Sequence, residues 1–226
     1  RALAGTTRKH YFSAAAYTQL TVSLPLACAF LRGRLLDVGC GDMPFHAELA
    51  PLVEAYDGLD PYPRSERVRY VADAQAMTMI ADGTYDSVLC LEVLEHVPDP
   101  FSAVREIGRV LRPGGTLVLS VPHLSRLHDL PHDYFRYTVH GVERLLASGN
   151  LEGLECHIRG GLLSFLSHQI STVVLGLVWG IPVVRDVVWF LNRWLLVQPA
   201  PILDQWLDRQ GLFAMGYTVV ARKRIE

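Results

Sequence analysis

The residues best suited to chemistry in this 226-residue chain fall in a few short motifs. The stretch Asp37-Val38-Gly39-Cys40-Gly41-Asp42-Met43-Pro44 puts an acid and two glycines where an apolar run breaks into a turn. Glycines there let a ligand approach the backbone, and a strand feeding such a turn builds a nucleotide-type site at the carboxyl edge of a parallel sheet. A dinucleotide pyrophosphate asks for G-x-G-x-x-G, but Pro44 stands at the third glycine and Asp37 would repel phosphate. The acid suits a ligand bearing an ammonium group; a tight βα turn without a ligand is the plain alternative. Asp60-Pro61 and Asp73-Ala74 close two later apolar runs. A carboxylate at the first can accept both ribose hydroxyls. At the second, Asp73 can accept from an adenine amino group while the Ala74 N–H donates to a ring nitrogen.

Proton-moving groups sit in two places. His96 follows the fourth apolar run. The segment Pro122–Tyr137 holds three histidines, two acids, two arginines and two tyrosines. His96, His123, His132, Asp133, Arg136 and Tyr137 are therefore the catalytic candidates. The competing structural reading makes His132-Asp133 and Arg136-Tyr137 a hydrogen-bonded clasp. Spacings of five and four among His123, His128, His132 and Asp133, on a proline-broken loop, fit no standard metal motif, so no metal is expected.

These residues need a sheet to align them. Strands are expected at Arg34–Gly39, Ala55–Leu59, Val68–Ala72, Tyr85–Leu91, Thr116–Val121, Leu154–Arg159 and Leu212–Ala221. Pro44 is expected to open a helix after the first. Asp99 caps a helix with Pro100 at N1 and an apolar stripe of Val104, Ile107 and Leu111, ended by Pro113-Gly114-Gly115. Thr138 caps another, stopped by Ser148-Gly149-Asn150. Strands separated by crossover segments imply a parallel, doubly wound α/β sheet.

With these elements in order, Leu35-Leu36-Asp37-Val38-Gly39-Cys40-Gly41, Gly58-Leu59-Asp60, Ala72-Asp73-Ala74, Asp86 through Val97 and Leu111-Arg112-Pro113-Gly114-Gly115-Thr116-Leu117 resemble the ordered motifs of S-adenosylmethionine-dependent methyltransferases of class I, with a Rossmann-like sheet. The resemblance is close over residues 30–125 and looser beyond. It implies seven strands, the last antiparallel and inserted between the fifth and sixth. It also implies S-adenosyl-L-methionine as cofactor, leaving as S-adenosyl-L-homocysteine. Asp37, Gly39, Cys40 and Gly41 would hold the methionine part, Asp60 with Pro61 the ribose, and Asp73 with Ala74 the adenine. Leu91 and Glu92 would line the floor below the sulfonium. Many members carry a third glycine where Met43 stands, so Met43 is expected to narrow the pocket wall.

Composition sets the remaining bounds. Apolar residues make up 50%, charged residues 19%, mean hydropathy is +0.20 and formal net charge is −2. These values exclude a disordered chain and a polybasic nucleic-acid binder. The four cysteines are far apart and support neither a zinc site nor a disulfide framework, which fits a reducing cytoplasm. Tyr11 to Leu31 imitates a secretory signal but carries Gln19, hydroxyls and Pro25, and reads better as a packed helix pair. A single methyltransferase domain is expected: N-terminal helices at 1–31, a cofactor-binding core at 32–159, an apolar helical insertion at 160–208 and a final strand at 209–226. Because the chain must return to its own sheet, the insertion reads as a shallow hairpin with Arg185-Asp186 near its tip, contacting the cytoplasmic membrane face. Its rival is a helical cover or homodimer interface at 160–203. The expected activity is methyl transfer, O-methylation favoured, to a small, hydrophobic or lipid-linked acceptor of a glycan, lipid or secondary-metabolite pathway. The alternatives are a catalytically silent cofactor-binding scaffold and, disfavoured by Pro44, a nicotinamide enzyme.

Overall fold

The computed structural model describes residues 11–225. The chain divides into two compact units: Ser23–His157 with the residues from Tyr217 onward, and the residues up to Val22 with Ile158–Gly216.

Seven strands form one sheet: β1 Arg34–Val38, β2 Ala55–Leu59, β3 Val68–Tyr70, β4 Tyr85–Leu91, β5 Leu111–Pro122, β6 Leu151–Arg159 and β7 Gly216–Lys223. Their order is β3-β2-β1-β4-β5-β7-β6. The pairs β1/β2, β1/β4, β2/β3 and β4/β5 are parallel. The final strand runs antiparallel beside β6, the Arg224 N–H donating to Asn150 at one end and that of Met215 to Arg159 at the other. The expected α/β architecture is therefore present. Strand order reverses between β1 and β4, so the ligand crevice of such a sheet lies at the carboxyl ends of these two strands.

Apolar alternation buries both faces. Leu36, Val38, Val88, Cys90, Leu117 and Leu119 join a core with Val104 and Ile107, from the helix Pro100–Val110, and Val142 and Leu145, from the helix Val139–Ser148. Both expected caps are made: the Ser102 N–H donates to Asp99 Oδ1 at 3.1 Å, and that of Gly141 to Thr138 Oγ1 at 3.1 Å.

Several boundaries differ from expectation. Leu111 does not extend the helix stripe. It opens β5, and Pro113-Gly114-Gly115 becomes an irregularity between the pairs Tyr85↔Leu111 and Ser87↔Thr116. The final strand begins at Gly216 rather than Leu212. The sixth begins at Leu151, and the third stops at Tyr70. Pro44 opens no helix; it precedes a single turn, His46–Leu49.

The second unit is helical. Numbered in chain order, its helices after α1 Ala14–Thr18 are α6 Leu162–Val178, α7 Pro182–Asn192 and α8 Pro199–Leu207; α2 Leu24–Phe30, α3 His46–Leu49, α4 Pro100–Val110 and α5 Val139–Ser148 belong to the sheet unit. The expected hairpin is thus built of three α-helices, and Arg185-Asp186 lies in the first turns of α7, close to the α6–α7 turn as expected. Among the described residues, no helix is long and apolar enough to cross a membrane. Burial in this unit is inverted. Ser164, Ser167, Ser171, Asn192 and Asp204 are buried, whereas Leu177, Val183, Leu195 and Trp206 are each two-thirds or more exposed. Three of these inner groups are hydrogen-bonded within the unit: Asp204 caps α6 by accepting from the N–H groups of Leu163 and Ser164, and Ser171 Oγ donates to Asn192 Oδ1.

Candidate active site

The turn after β1 is shaped by backbone rather than by side chains. Gly39 has φ 68° and Gly41 φ 53°, a region that L residues with a Cβ rarely adopt. A Cβ on Gly39 would fall 2.4 Å from Val93, while one on Gly41 would meet nothing within 4 Å. Gly41 therefore borders open space with its backbone bare. Met43, where the resembling enzymes keep a glycine, also holds φ 54°. A non-glycine residue there costs about 1–2 kcal/mol in backbone strain. The Met43 side chain does not narrow a pocket wall as expected. It is buried with the Cys40 thiol against β2, where Gly58 leaves room for both sulfurs. Burial pushes the Cys40 thiol up to about 12, so it stays protonated.

Three carboxylates stand at this edge. Asp37 is buried, and Tyr56 donates to its Oδ2 at 2.7 Å. Burial, helped by the negative charge of Asp60, raises its carboxyl to about 7. Asp37 has no ion-pair partner among the described residues, which suits an incoming ammonium. Asp60 accepts from the Gly41 N–H at 2.9 Å through Oδ2 and from the Tyr62 N–H at 2.7 Å through Oδ1. This ties the ends of β1 and β2 together and leaves lone pairs for a diol. Pro61 beside it is exposed. Asp73 is exposed and accepts from the Gln75 backbone and side chain through Oδ1 alone, and Ala74 behind it is buried. Open space at Gly41, an unpaired buried acid and two further strand-end carboxylates fit S-adenosylmethionine, with its ammonium, ribose and adenine.

At the end of β4, Leu91 is half-buried and Glu92 takes φ 53°. The Glu92 carboxylate accepts from Ser120 Oγ at 3.0 Å. A single helical turn, Leu94–His96, follows. Three hydrogen bonds join it to the loop after β5: Tyr137 Oη donates to the Leu94 carbonyl at 2.7 Å, the Tyr134 N–H to the Glu95 carbonyl at 2.7 Å, and His96 Nδ1 to the His132 carbonyl at 2.5 Å.

Within the loop, the two arms of the expected clasp behave differently. Asp133 and Arg136 pair through both carboxylate oxygens, and Asp133 also accepts from the His128 N–H at 2.8 Å. Arg136 further donates to the carbonyls of Ser125 and Arg126. The guanidinium holds the Asp133 carboxyl well below the usual carboxylate range. Tyr137 is buried, and burial raises its phenol. These three residues hold the loop in shape. His132 is exposed, with Nδ1 3.0 Å from Tyr134 Oη, and His123 lies against the Tyr217 ring. His96 meets neither His123 nor the His132 ring; it packs edge-on against His128 at 4.9 Å between ring centres.

Sequence reading passed over Glu95 and left His128 out of the catalytic set. Glu95 is fully buried. Its carboxylate lies 3.6 Å from His96 Nε2 and 3.8 Å from His128 Nε2. Burial raises the Glu95 carboxyl, and Glu95 in turn raises the His128 imidazole. The signal available was the acid immediately before His96, at a position where a buried sheet edge meets a histidine-bearing loop.

A family model described as a methyltransferase domain matches residues 9–166. The ubiquinone biosynthesis O-methyltransferase of Xanthomonas campestris pv. campestris (strain B100) is 32% identical over 117 residues, 46% of this chain and 46% of that protein. The matched stretch thus spans about half the length of that curated relative. Two solved structures share the fold. A putative sarcosine dimethylglycine methyltransferase from Galdieria sulphuraria has TM-score 0.59 at 17% identity, covering 94% of this chain and 86% of the other. The 1,6-didemethyltoxoflavin-N1-methyltransferase of Burkholderia thailandensis, with S-adenosylhomocysteine bound, has TM-score 0.56 at 15% identity, covering 90% and 79%. The glycine turn and the strand-end acids fit S-adenosylmethionine, and the family match agrees with them: this chain belongs to the methyltransferase domain family.

Proposed function

We propose that the chain moves the methyl group of S-adenosylmethionine to a hydroxyl of a small acceptor carrying an apolar tail, at the cytoplasmic face of a membrane. The observation that carries the acceptor class is the inverted burial of the helical unit. Serines and an asparagine face inward there, and Leu177, Val183, Leu195 and Trp206 face outward. An apolar face of this kind, bearing tryptophan, favours a lipid surface. The O-methyltransferase name of the curated relative supports an oxygen acceptor. Residues 160–208 are read as an insertion in a single methyltransferase domain rather than as a separate protein module.

In this reading Asp37, Gly39, Cys40 and Gly41 bind the methionine part, Asp60 and Pro61 the ribose, and Asp73 and Ala74 the adenine. Leu91 and Glu92 floor the methyl position. His96, His123 and His132 are the candidate bases, with Asp133, Arg136 and Tyr137 positioning the loop that carries two of them. The sulfonium already activates the methyl carbon, so the protein mainly aligns an oxygen for in-line displacement. The test is radiolabelled methyl transfer to two phenols differing only in an alkyl tail, with flotation on anionic liposomes. The expected result is higher kcat/KM for the tailed phenol and co-flotation, lost together in Val183→Ser/Leu195→Ser/Trp206→Ser. Preference for the tail-free phenol with no flotation refutes the acceptor class, and dimerisation lost in the same variant would assign the face to a second copy instead.

A further inference from the structure

The turn Leu94–His96 and the loop after β5 bring three electron-pair donors to one point. Glu95 is fully buried, and neither carboxylate oxygen has a hydrogen-bond partner among the described residues. Leaving an ionised carboxylate so placed costs several kcal/mol unless a cation compensates it. The two groups that face it are imidazoles, and their tautomers follow from their other contacts. His96 Nδ1 lies 2.5 Å from the His132 carbonyl, which only accepts, so Nδ1 carries the proton. His128 Nδ1 lies 3.2 Å from the Arg126 carbonyl and 3.6 Å from Asp133 Oδ2, both acceptors. Arg136 Nη2 is also near, at 3.4 Å, but its two N–H groups go to Asp133 and the Arg126 carbonyl. In each neutral ring, then, Nε2 holds the lone pair, and each Nε2 faces Glu95.

From this convergence we propose that Glu95, His96 and His128 form a binding site for one divalent first-row transition-metal ion of the zinc, cobalt or manganese type. The ligand atoms of the three residues lie within 4.8 Å of one another. The distances from Glu95 Oε1 to the two Nε2 atoms, 3.6 and 3.8 Å, are close to the edge of about 3.4 Å expected between ligands bound tetrahedrally at about 2.1 Å. Two imidazoles and one carboxylate favour such ions over magnesium, which prefers an all-oxygen shell. Both histidines have the outer support that metal ligands use, Nδ1–H bonded to a backbone carbonyl, which fixes the ring and aims Nε2. Three protein ligands leave positions open. The further step, that an open position takes the acceptor oxygen, rests on the function proposed above; the ion site itself does not.

The site departs from the spacing read in the loop. His123 and His132 take no part, because their rings lie against Tyr217 and Tyr134. Two ligands, Glu95 and His96, come instead from the turn after β4, and of the loop histidines only His128 contributes.

The test uses the full chain, stripped with chelator and checked for folding by circular dichroism. Zinc chloride, cobalt chloride and magnesium chloride are titrated separately by calorimetry, and cobalt is also followed by its visible absorption. The expected result is one zinc or cobalt ion per chain at micromolar or tighter Kd, intense tetrahedral-type cobalt bands, and no magnesium binding below millimolar. His128→Gln, in a half-exposed loop residue, and Glu95→Gln should each weaken zinc at least 100-fold, while His140→Ala on α5 should not. No stoichiometric binding by the folded protein, or equal zinc affinity in His128→Gln, overturns the site. S-adenosylmethionine binding and methyl transfer are measured in parallel, so loss of activity with retained zinc refutes the proposed function and leaves the ion site standing.

Discussion

Replacing Asp37 by Asn separates what the fold wants at this position from what the cofactor wants. Asp37 is buried, and its carboxyl is raised to about 7 in the folded protein, chiefly by burial. In the unfolded chain it titrates near an ordinary 3.8. Between about pH 4 and 7 the folded state therefore binds a proton that the unfolded state does not. Stability from this group is complete below pH 4 and is lost as pH rises to 7. At about 1.4 kcal/mol per pH unit, a shift of about three units withdraws about 4 kcal/mol by pH 8. Asparagine keeps an oxygen for Tyr56 and has nothing to ionise. The apo variant should match wild type at pH 4, gain steadily to pH 7, and at pH 8 melt higher by on the order of 10 °C. Cofactor binding should go the other way. An ammonium needs the ionised acid, so at pH 6 wild type should release about one proton on binding S-adenosylmethionine. This is read by calorimetry in two buffers of different ionisation enthalpy. The variant should release none and bind at least tenfold more weakly at pH 8. An apo variant less stable than wild type at pH 8, or one with unchanged affinity and proton release, refutes the reasoning.

Two further outcomes bear on the same edge. Asp60→Ala removes the acceptor of the Gly41 N–H and the proposed ribose partner together, and should raise the cofactor Kd more than tenfold; an unchanged Kd sinks its role. Asp133→Ala breaks the pair with Arg136 and should cost about 2–3 kcal/mol by urea unfolding at pH 7. Because the Asp133 carboxyl is depressed, its contribution is present above about pH 4 and lost as pH falls further, so the variant should lose less stability than wild type between pH 4 and pH 2. Limited proteolysis should cut the variant within Pro122–Tyr137 first, and equal resistance in both proteins argues against the clasp.

Local chemistry made much of the sheet legible. Ala55–Leu59 and Tyr85–Leu91 are read to the residue because turn formers bound each run at one end, Asp60-Pro61 after the first and Asp82-Gly83 before the second. Asp99 and Thr138 announce their helices because a capping oxygen is a local device. Pro113-Gly114-Gly115 misled, since the same residues that stop a helix can also be accommodated as an irregular step in a strand whose partner, Tyr85–Ser87, fixes the register from afar. The helical unit misled for a related reason. Apolar periodicity states which side chains avoid polar neighbours, but Asp204 and Asn192 find their partners across the unit, and those contacts turn the serine face of α6 inward. Glu95 stood next to His96 in the sequence, but its pairing with His128 depends on the loop after β5, which no local pattern brings to it.

The three hydrogen bonds that join Leu94, Glu95 and His96 to Tyr137, Tyr134 and His132 also limit how this chain can change over generations. Adding or deleting a residue in either segment would put all three out of step at once, so the lengths of both are effectively frozen. Leu127, Leu130, Tyr134 and Phe135, by contrast, project into solvent from the same loop. New acceptor preferences should therefore arise by exchanging those side chains one at a time, with the loop itself inherited at constant length.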